Sequence, residues 1–135
     1  MERIFTGDIK FRDQGSEDLN AVRLSFILAM DVFEISKTFP KEKKYSLTDQ
    51  IRRSSRSVCA NLSEGYRKRV YPKSFSAKMI DSAGECSETL VHLKFATNCN
   101  YITSEILTYF EARYDEVGKI LNYMYWNPEK FKPKS

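Results

Sequence analysis

The chain has 135 residues, of which 41% are hydrophobic and 30% are charged, and its formal net charge is +4. This length and composition predict one packed domain and exclude an intrinsically disordered chain. No apolar run approaches the roughly 18 residues of a membrane span, and the first residues lack the apolar core of a secretion signal. The three cysteines form no CxxC pair, so we expect free thiols and a cytoplasmic protein.

The positive charge is concentrated in one part of the chain. Residues 41–78 contain eleven Lys or Arg and three acids, whereas residues 1–40 and 79–135 each carry a net charge of −2. A basic segment of this kind is typical of proteins that bind a polyanion such as nucleic acid. The solvated side of a structural helix has the same composition, so both interpretations stay open.

The first predicted helix runs from about Ser16 to Thr38 and follows an N-terminal arm, residues 1–15, in which residues 4–11 have a short extended pattern. Apolar residues recur at helical spacing on two sides of this helix. We predict that one stripe faces the core, namely Leu19, Val22, Phe26, Met30 and Phe33. The opposite stripe then needs a separate cover, and it consists of Leu24, Leu28 and Ile35.

The second predicted helix begins at Ser46 or Thr48, ends in a basic cluster at 67–69 and is broken by Pro72. Its predicted core stripe is Leu47, Ile51, Ser54 or Ser55, Val58 and Leu62. At about 100° per residue, a basic flank lies well away from this stripe. The flank contains Arg52, Arg56 and Arg67, and Arg53 points away from the core.

The third predicted helix starts after an N-cap at Ser74 and ends at the turn 98–100. Its core stripe is Phe75, Met79, Ala83, Cys86, Leu90, Leu93 and Thr97, and a second apolar face holds Val91 and Phe95. The fourth predicted helix begins at Thr103 or Ser104 and stops before Asn127. Its core stripe is Ile106, Phe110, Tyr114, Val117, Leu121 and Met124.

Four helices with short connections predict an all-α, antiparallel up-down-up-down four-helix bundle over residues 16–126, followed by a basic tail, residues 127–135. A monomer would expose the apolar faces that lie outside the predicted core. Soluble monomers seldom tolerate such a patch, so we expect a closed, ring-like homo-oligomer. The predicted interface residues are Leu24, Leu28, Ile35, Val91 and Phe95.

No residue set in the sequence predicts catalysis. The single histidine, His92, is not preceded by a glutamate at the spacing that di-iron bundles use, and the chain has no phosphate-binding glycine loop. A nucleophile, a base and an orienting group are likewise not recognisable. We therefore expect no enzymatic activity, no catalytic residues, no cofactor and no metal.

The run FPKEKKYSLTDQIRRSSRSVCANLSEGYRKR resembles the central signature of the bacterial 23S ribosomal RNA intervening-sequence protein family, also called "four helix bundle protein". The resemblance covers roughly residues 17–124. A second signature on the third helix is partly kept, with Glu85 where the family has serine. The motif positions include Phe39, Pro40, Gln50, Asn61, Glu64, Gly65, Gly84 and Glu88.

This resemblance implies a small four-helix bundle that forms a homopentamer. Some members are encoded inside intervening sequences of 23S ribosomal RNA genes, and a distantly related fold is the accessory subunit of a reverse transcriptase in diversity-generating retroelements. The biochemical function of the family is unassigned. The number five comes from the resemblance, since the sequence pattern itself predicts only association.

We expect the basic residues to bind RNA phosphates, because the planar fork of arginine bonds phosphate oxygens in pairs. Few aromatic residues lie among them, so binding should be salt-sensitive and weakly sequence-specific. The predicted contacts are Arg52, Arg53, Arg56, Arg67, Lys68, Arg69 and Lys73.

The alternative is a protein-interaction scaffold or accessory subunit that makes no contact with nucleic acid. Arg52 and Arg56 would then pair with acids such as Glu85 or Glu88. Asn61 and Glu64 would be polar contacts between helices. The sequence does not identify the protein partner in this case.

Overall fold

The structure, a computed structural model, describes residues 20–41 and 46–134. This part of the chain forms four α-helices and a short 3-10 helix, and no strand occurs in it. The helices are α1 (Asn20–Ser36), α2 (Leu47–Arg67), α3 (Pro72–Asn98), α4 (Ser104–Trp126) and the 3-10 helix Pro128–Phe131. The all-helical prediction is therefore confirmed.

Part of the N-terminal prediction lies outside the described residues. This applies to the arm 1–15, to the helix start at Ser16 and to the core position Leu19. Within the described ranges, no helix combines the length and the apolar character that a membrane crossing requires.

Two helices begin where their capping residues predicted. The Ser46 hydroxyl accepts a hydrogen bond from the Asp49 amide at 3.1 Å, and the Thr103 hydroxyl accepts one from the Ile106 amide at 3.2 Å. Each bond satisfies a backbone donor that has no partner inside the helix. The predicted starts of α2 and α4 are confirmed.

The start of α3 differs from the prediction. Pro72, which we expected only to break the second helix, is the first residue of α3, and the predicted cap Ser74 lies inside the helix. A proline is well suited to this position because its missing N–H would have no partner there and its φ angle is already helical. The α3–α4 turn contains Asn100 at φ 62°, a left-handed conformation that asparagine tolerates.

The helices pack in chain order, with α2 against α1 and α3, and α4 against α3 and α1. Arg52, early in α2, bonds Ser36 at the end of α1. Cys59, later in α2, bonds the carbonyl of Val22 near the start of α1. Contacts further along α2 therefore reach earlier positions of α1.

Small and hydroxyl-bearing residues line the contact between α2 and α3. The buried Ser82 hydroxyl donates to the Val58 carbonyl at 2.7 Å, and the buried Thr89 hydroxyl lies 2.8 Å from the Ser54 hydroxyl. These bonds satisfy polar groups that are removed from water. They also fix the register between the two helices.

Gly65 lies at a close contact between α2 and α3. A Cβ atom at this position would come within 2.5 Å of Met79 Cε and 2.7 Å of Lys78 Cβ. Real Cβ atoms essentially never approach other heavy atoms so closely. The local helix spacing therefore depends on a residue without a side chain.

The core predictions for α2, α3 and α4 are largely confirmed. Phe110 and Tyr114 are buried in the core, and their rings stack with 6.3 Å between the centroids. Five further predicted core positions are only partly buried, namely Leu47, Ala83, Leu90, Thr97 and Ile106. The buried predicted positions are Ile51, Ser54, Ser55, Val58, Leu62, Phe75, Met79, Cys86, Leu93, Phe110, Tyr114, Val117, Leu121 and Met124.

The predicted orientation of α1 is largely wrong, although Val22 of the predicted core stripe is buried. Leu28 is 0% exposed and Ile35 is 3% exposed, so the stripe that we placed at an oligomer interface belongs to the core of the chain itself. Leu24 from the same stripe is half-buried and packs against the core. By contrast, Met30 and Phe33 from the predicted core stripe are 36% and 37% exposed.

The reason for this error is the size of the residues that α1 buries. Its inner face includes Ala21, Ser25 and Ala29, which let a neighbouring helix approach closely. Small residues contribute little to a hydrophobic pattern, so the bulkier Met30 and Phe33 led to the prediction that their side of α1 is buried. Which face of α1 is buried therefore depends on how α2 and α4 pack against it.

The segment after α4, which we predicted as a basic tail, packs partly onto the bundle. Phe131 of the 3-10 helix stacks on the buried Phe75, with 5.5 Å between the ring centroids. Lys130 donates a hydrogen bond to the Tyr123 hydroxyl at 3.1 Å. These contacts attach residues 128–131 to α3 and α4.

Candidate nucleic-acid interface

The structure divides the predicted RNA-binding residues into two groups. Arg53 and Lys68 form ion pairs with glutamates. The other five have no acidic partner among the described residues, and they are Arg52, Arg56, Arg67, Arg69 and Lys73.

Arg53 is bound to the third helix. Its Nη2 atom lies 2.8 Å from both carboxylate oxygens of Glu88, and its Nη1 atom lies 3.7 Å from Glu85 Oε2. Ion pairing between α2 and α3 was the alternative that we considered for Arg52 and Arg56. The structure shows it for Arg53 instead, because Arg53 is the arginine on the α3 side of α2.

The two glutamates of this cluster differ in their affinity for a proton. Burial raises the pKa of Glu85, and the hydrogen bond and negative charge of Glu88 raise it further. Burial also opposes ionisation of Glu88, but hydrogen bonds from Arg53 and from Glu85 lower its pKa below the ordinary value. His92 completes the cluster, with Nε2 3.6 Å from Glu88 Oε1.

Glu64 forms a second link between α2 and α3. Its carboxylate lies 3.3 Å from Lys68 Nζ and 3.1 Å from Lys78 Nζ. Hydrogen bonds from Lys78 and then from Lys68 lower the pKa of Glu64. Glu64 therefore makes the interhelical contact that the scaffold alternative predicted, whereas Asn61 bonds the Ser57 carbonyl of its own helix.

Arg52 is held in one orientation by residues of α1. Its Nε atom donates to the Ser36 hydroxyl at 2.7 Å, and its guanidinium lies 4.6 Å from the centroid of the Phe33 ring. Stacking and a hydrogen bond reduce the freedom of this side chain. This contact was not predictable from the residue pattern, which assigns Phe33 to the core stripe of α1.

Arg56, Arg67 and Lys73 have exposed side chains. Arg69 is half-buried, since its guanidinium lies 4.1 Å from the Tyr66 ring and donates to the Tyr66 carbonyl at 3.1 Å. None of these four cations is neutralised by an acid in the part of the chain that the structure describes.

An apolar groove lies between α1 and α2, beside Arg52 and Arg56. Its volume is about 460 Å³. It is lined by Phe26, Ala29, Met30, Phe33, Arg52, Arg56, Cys59, Ala60 and Ser63.

The remaining predicted residues lie elsewhere on the bundle. Gln50 is half-buried in the first turn of α2, and Gly84 is exposed on α3, where an added Cβ would meet nothing within 4 Å. Val91 and Phe95 are 48% and 59% exposed, in agreement with a face outside the core. Among the described residues, no group of His, Cys, Asp or Glu is placed to hold a metal ion.

The chain is similar to a solved structure from Bacteroides thetaiotaomicron. That structure is described as a protein with unknown function from the S23 ribosomal protein family. It is 24% identical, with a TM-score of 0.70, and the match covers 78% of this chain and 97% of the other. At this identity the likeness establishes the fold alone.

A comparison with curated proteins returned no match. The model of the 23S rRNA-intervening sequence protein family matches residues 17–123, which is most of the chain and includes every motif position described above. The chain therefore belongs to the 23S rRNA-intervening sequence protein family.

Proposed function

We propose that this protein is a non-enzymatic, cytoplasmic four-helix bundle with up-down-up-down topology that forms a ring-like homo-oligomer and binds RNA. The proposed RNA contact is the α1 side of α2 together with the start of α3. The observation that supports it best is the set of cations without an acidic partner among the described residues: Arg52, Arg56, Arg67, Arg69 and Lys73.

Arginines that no described carboxylate pairs with favour an external anion, because no such carboxylate has to be displaced from them. Arg53 and Lys68 would contribute less, since each already bonds a glutamate. Binding of this kind depends on contacts with phosphates. Its affinity falls as the salt concentration rises, because the release of counterions from the RNA then contributes less free energy. Repetition of the basic side in an oligomer would strengthen a contact that is weak in one copy.

The test compares two arginine variants on the same helix. Arg56→Gln with Arg67→Gln removes two unpaired charges, whereas Arg53→Gln removes a paired one and serves as the matched control. Fluorescence anisotropy with labelled single-stranded RNA at several salt concentrations measures affinity and salt slope. We expect the double variant to bind more weakly and to lose about one unit of slope per lost phosphate contact.

The control separates local charge from net charge. If Arg53→Gln weakens binding as much per charge as Arg56→Gln does, RNA senses only the overall charge of the protein. If wild-type protein does not bind RNA, the scaffold alternative replaces this proposal. A folded double variant with unchanged affinity would also count against it.

The proposed assembly is supported by the outer face of α3. Ile80, Val91 and Phe95 are 52%, 48% and 59% exposed, and they share one side of the helix with Gly84. A glycine inside a helix costs about 1 kcal/mol relative to alanine, and a Cβ added at Gly84 would meet none of the described residues within 4 Å. The close approach of another copy would explain both the glycine and the exposed apolar residues.

Light scattering coupled to size exclusion tests the assembly. We expect an oligomer for the wild type, with five copies as the family resemblance implies, and smaller species for Phe95→Glu. A wild-type species of 15.8 kDa at micromolar concentration would refute the assembly proposal. An oligomer that Phe95→Glu leaves intact would place the interface elsewhere.

A further inference from the structure

The groove between α1 and α2 has the size and lining of a small-molecule site. Its volume of about 460 Å³ lies within the range of roughly 300–1,000 Å³ that such sites occupy. Met30, Phe33 and Ala60 expose apolar surface to it. Its lining on α2 extends from Arg52 to Ser63, about 16 Å along the helix.

Positive charge is confined to one end of the groove lining on α2. Arg52 and Arg56 are one helical turn apart, so their side chains lie on the same side of α2. Arg52 is already oriented by Ser36 and Phe33. A preoriented guanidinium loses little freedom when it binds a carboxylate in the paired geometry that it favours.

None of the described residues that line the groove is acidic, so they do not neutralise these arginines. Cys59 adds no negative charge, because burial raises the pKa of its thiol and keeps it protonated at neutral pH. The thiol instead donates to the Val22 carbonyl at 3.6 Å. The groove thus combines an apolar body with a cationic end.

We propose that this groove binds an amphiphilic carboxylate, with the apolar part between α1 and α2 and the carboxylate on Arg52 and Arg56. Charge complementarity argues for the anionic head, and the apolar lining argues against a free inorganic anion. The volume of about 460 Å³ is that of a small-ligand site. The groove proposal does not rest on RNA binding, but a carboxylate bound in the groove would compete with RNA for Arg52 and Arg56.

Dodecanoate is a suitable probe, with dodecan-1-ol as its uncharged counterpart. Displacement of 1-anilinonaphthalene-8-sulfonate, followed by fluorescence below micelle formation, measures both affinities on the full chain. We expect dodecanoate to bind at least about tenfold more tightly than the alcohol, since hydrogen bonds to a charged group are the stronger kind. Arg52→Gln with Arg56→Gln should remove this preference.

A variant that fills the groove tests its location. Ala60 is exposed and lines the groove, so Ala60→Phe should block the ligand without disturbing the core. Ala112→Phe, at an exposed position of α4 outside the groove, is the matched control. We expect Ala60→Phe to weaken dodecanoate binding about tenfold or more and Ala112→Phe to leave it unchanged.

RNA binding is measured on the same variants to keep the two proposals apart. Arg67→Gln should weaken RNA binding but leave the affinity for dodecanoate unchanged, because Arg67 does not line the groove. Equal binding of dodecanoate and dodecan-1-ol, or no binding of either, would overturn the groove proposal and leave the RNA proposal standing. Undiminished binding to folded Ala60→Phe would overturn it as well.

Discussion

On the α3 side of α2, Arg53 bonds both oxygens of Glu88, and Gly65 lets the two helices approach closely. On the α1 side, Arg56 has no acidic partner among the described residues, and the adjoining surface is an open groove. Both sides carry arginine from the same short stretch of sequence. One side is closed by its neighbour, whereas none of the described residues covers the other side.

The difference shows that a run of basic residues is not a single surface. The third helix places Glu85 and Glu88 one turn apart, opposite Arg53. The α1 residues that face Arg52 offer a ring and a hydroxyl, from Phe33 and Ser36, in place of a carboxylate. Which arginines remain available is therefore decided by the neighbouring helices.

The largest expected effect concerns the accessibility of thiols. Burial, with a smaller contribution from Glu85, raises the pKa of Cys86 to about 12, whereas Cys99 is exposed. Because the thiolate is the nucleophile, native Cys86 should be alkylated roughly a thousandfold more slowly than Cys99 at pH 8. Half-buried Cys59, at the open groove, should react at an intermediate rate.

Peptide mass spectrometry after timed treatment with iodoacetamide measures the three rates. The same reaction in urea is the control, since all three thiols should then react alike. Alkylation of native Cys86 as fast as that of Cys99 would contradict a closed core.

The next largest effect concerns the two glycines. Gly65→Ala should destabilise the protein by about 1–3 kcal/mol, the usual cost of overpacking, because its Cβ would clash with Lys78 and Met79. At Gly84 an added Cβ would meet none of the described residues within 4 Å. If the protein is a monomer, Gly84→Ala should therefore raise its free energy of unfolding by about 0.5–1 kcal/mol. Urea unfolding at equal protein concentrations measures both changes.

The two glycine variants control for each other, since both add the same methyl group to a helix. Equal stability of Gly65→Ala and wild type would show that α2 and α3 separate without cost. A loss of stability in Gly84→Ala that grows with protein concentration would instead indicate an interface at α3.

The sequence predicted those features that depend on local chemistry. The hydroxyls of Ser46 and Thr103 cap the helices that follow them, and this requires knowledge of only three neighbouring residues. The core stripe of α4 was also recognisable, because its neighbours Phe110, Tyr114 and Val117 are large and regularly spaced.

Features that depend on how helices approach one another were not predictable in the same way. The inner face of α1 combines Leu28 and Ile35 with alanine and serine, so the hydrophobic pattern alone did not distinguish it from the opposite face. The link from Arg53 to Glu88 joins residues 35 positions apart, and it depends on the α2–α3 register. The stacking of Arg52 on Phe33 depends in turn on the orientation of α1.

A smaller effect is the difference in protein stability between the Arg53→Gln and Arg56→Gln variants. Arg53→Gln removes the partner of Glu88 and should cost at most about 1 kcal/mol, because the Arg53 side chain is 52% exposed and the pair is screened. Arg56→Gln, without an acidic partner in the described part of the chain, should change stability very little. Urea midpoints at low and high salt measure this difference, which should shrink with salt. Equal midpoints for the two variants at low salt would contradict the pairing of Arg53.

The smallest effect is the pH dependence that Glu64 contributes. Hydrogen bonds from Lys78 and Lys68 lower the pKa of Glu64 below its ordinary value of 4.5. A carboxylate with a lowered pKa in the folded state stabilises the fold above its unfolded pKa, and this stabilisation is lost as the pH falls through the folded pKa. Urea midpoints of wild type should therefore fall more steeply below about pH 4.5 than those of Glu64→Gln.

Asp115→Asn is the matched control for Glu64, since it removes an ion pair with Lys119 inside a single helix. Because Glu64 links two helices, its variant should also loosen the α2–α3 contact, which amide exchange near Gly65 would detect. High salt should reduce the difference between Glu64→Gln and wild type, because these side chains are solvated. Identical pH profiles for wild type and Glu64→Gln would mean that solvent screens this ion pair completely. Gly65 and the buried hydroxyl bonds would then hold the closed side of α2 without it.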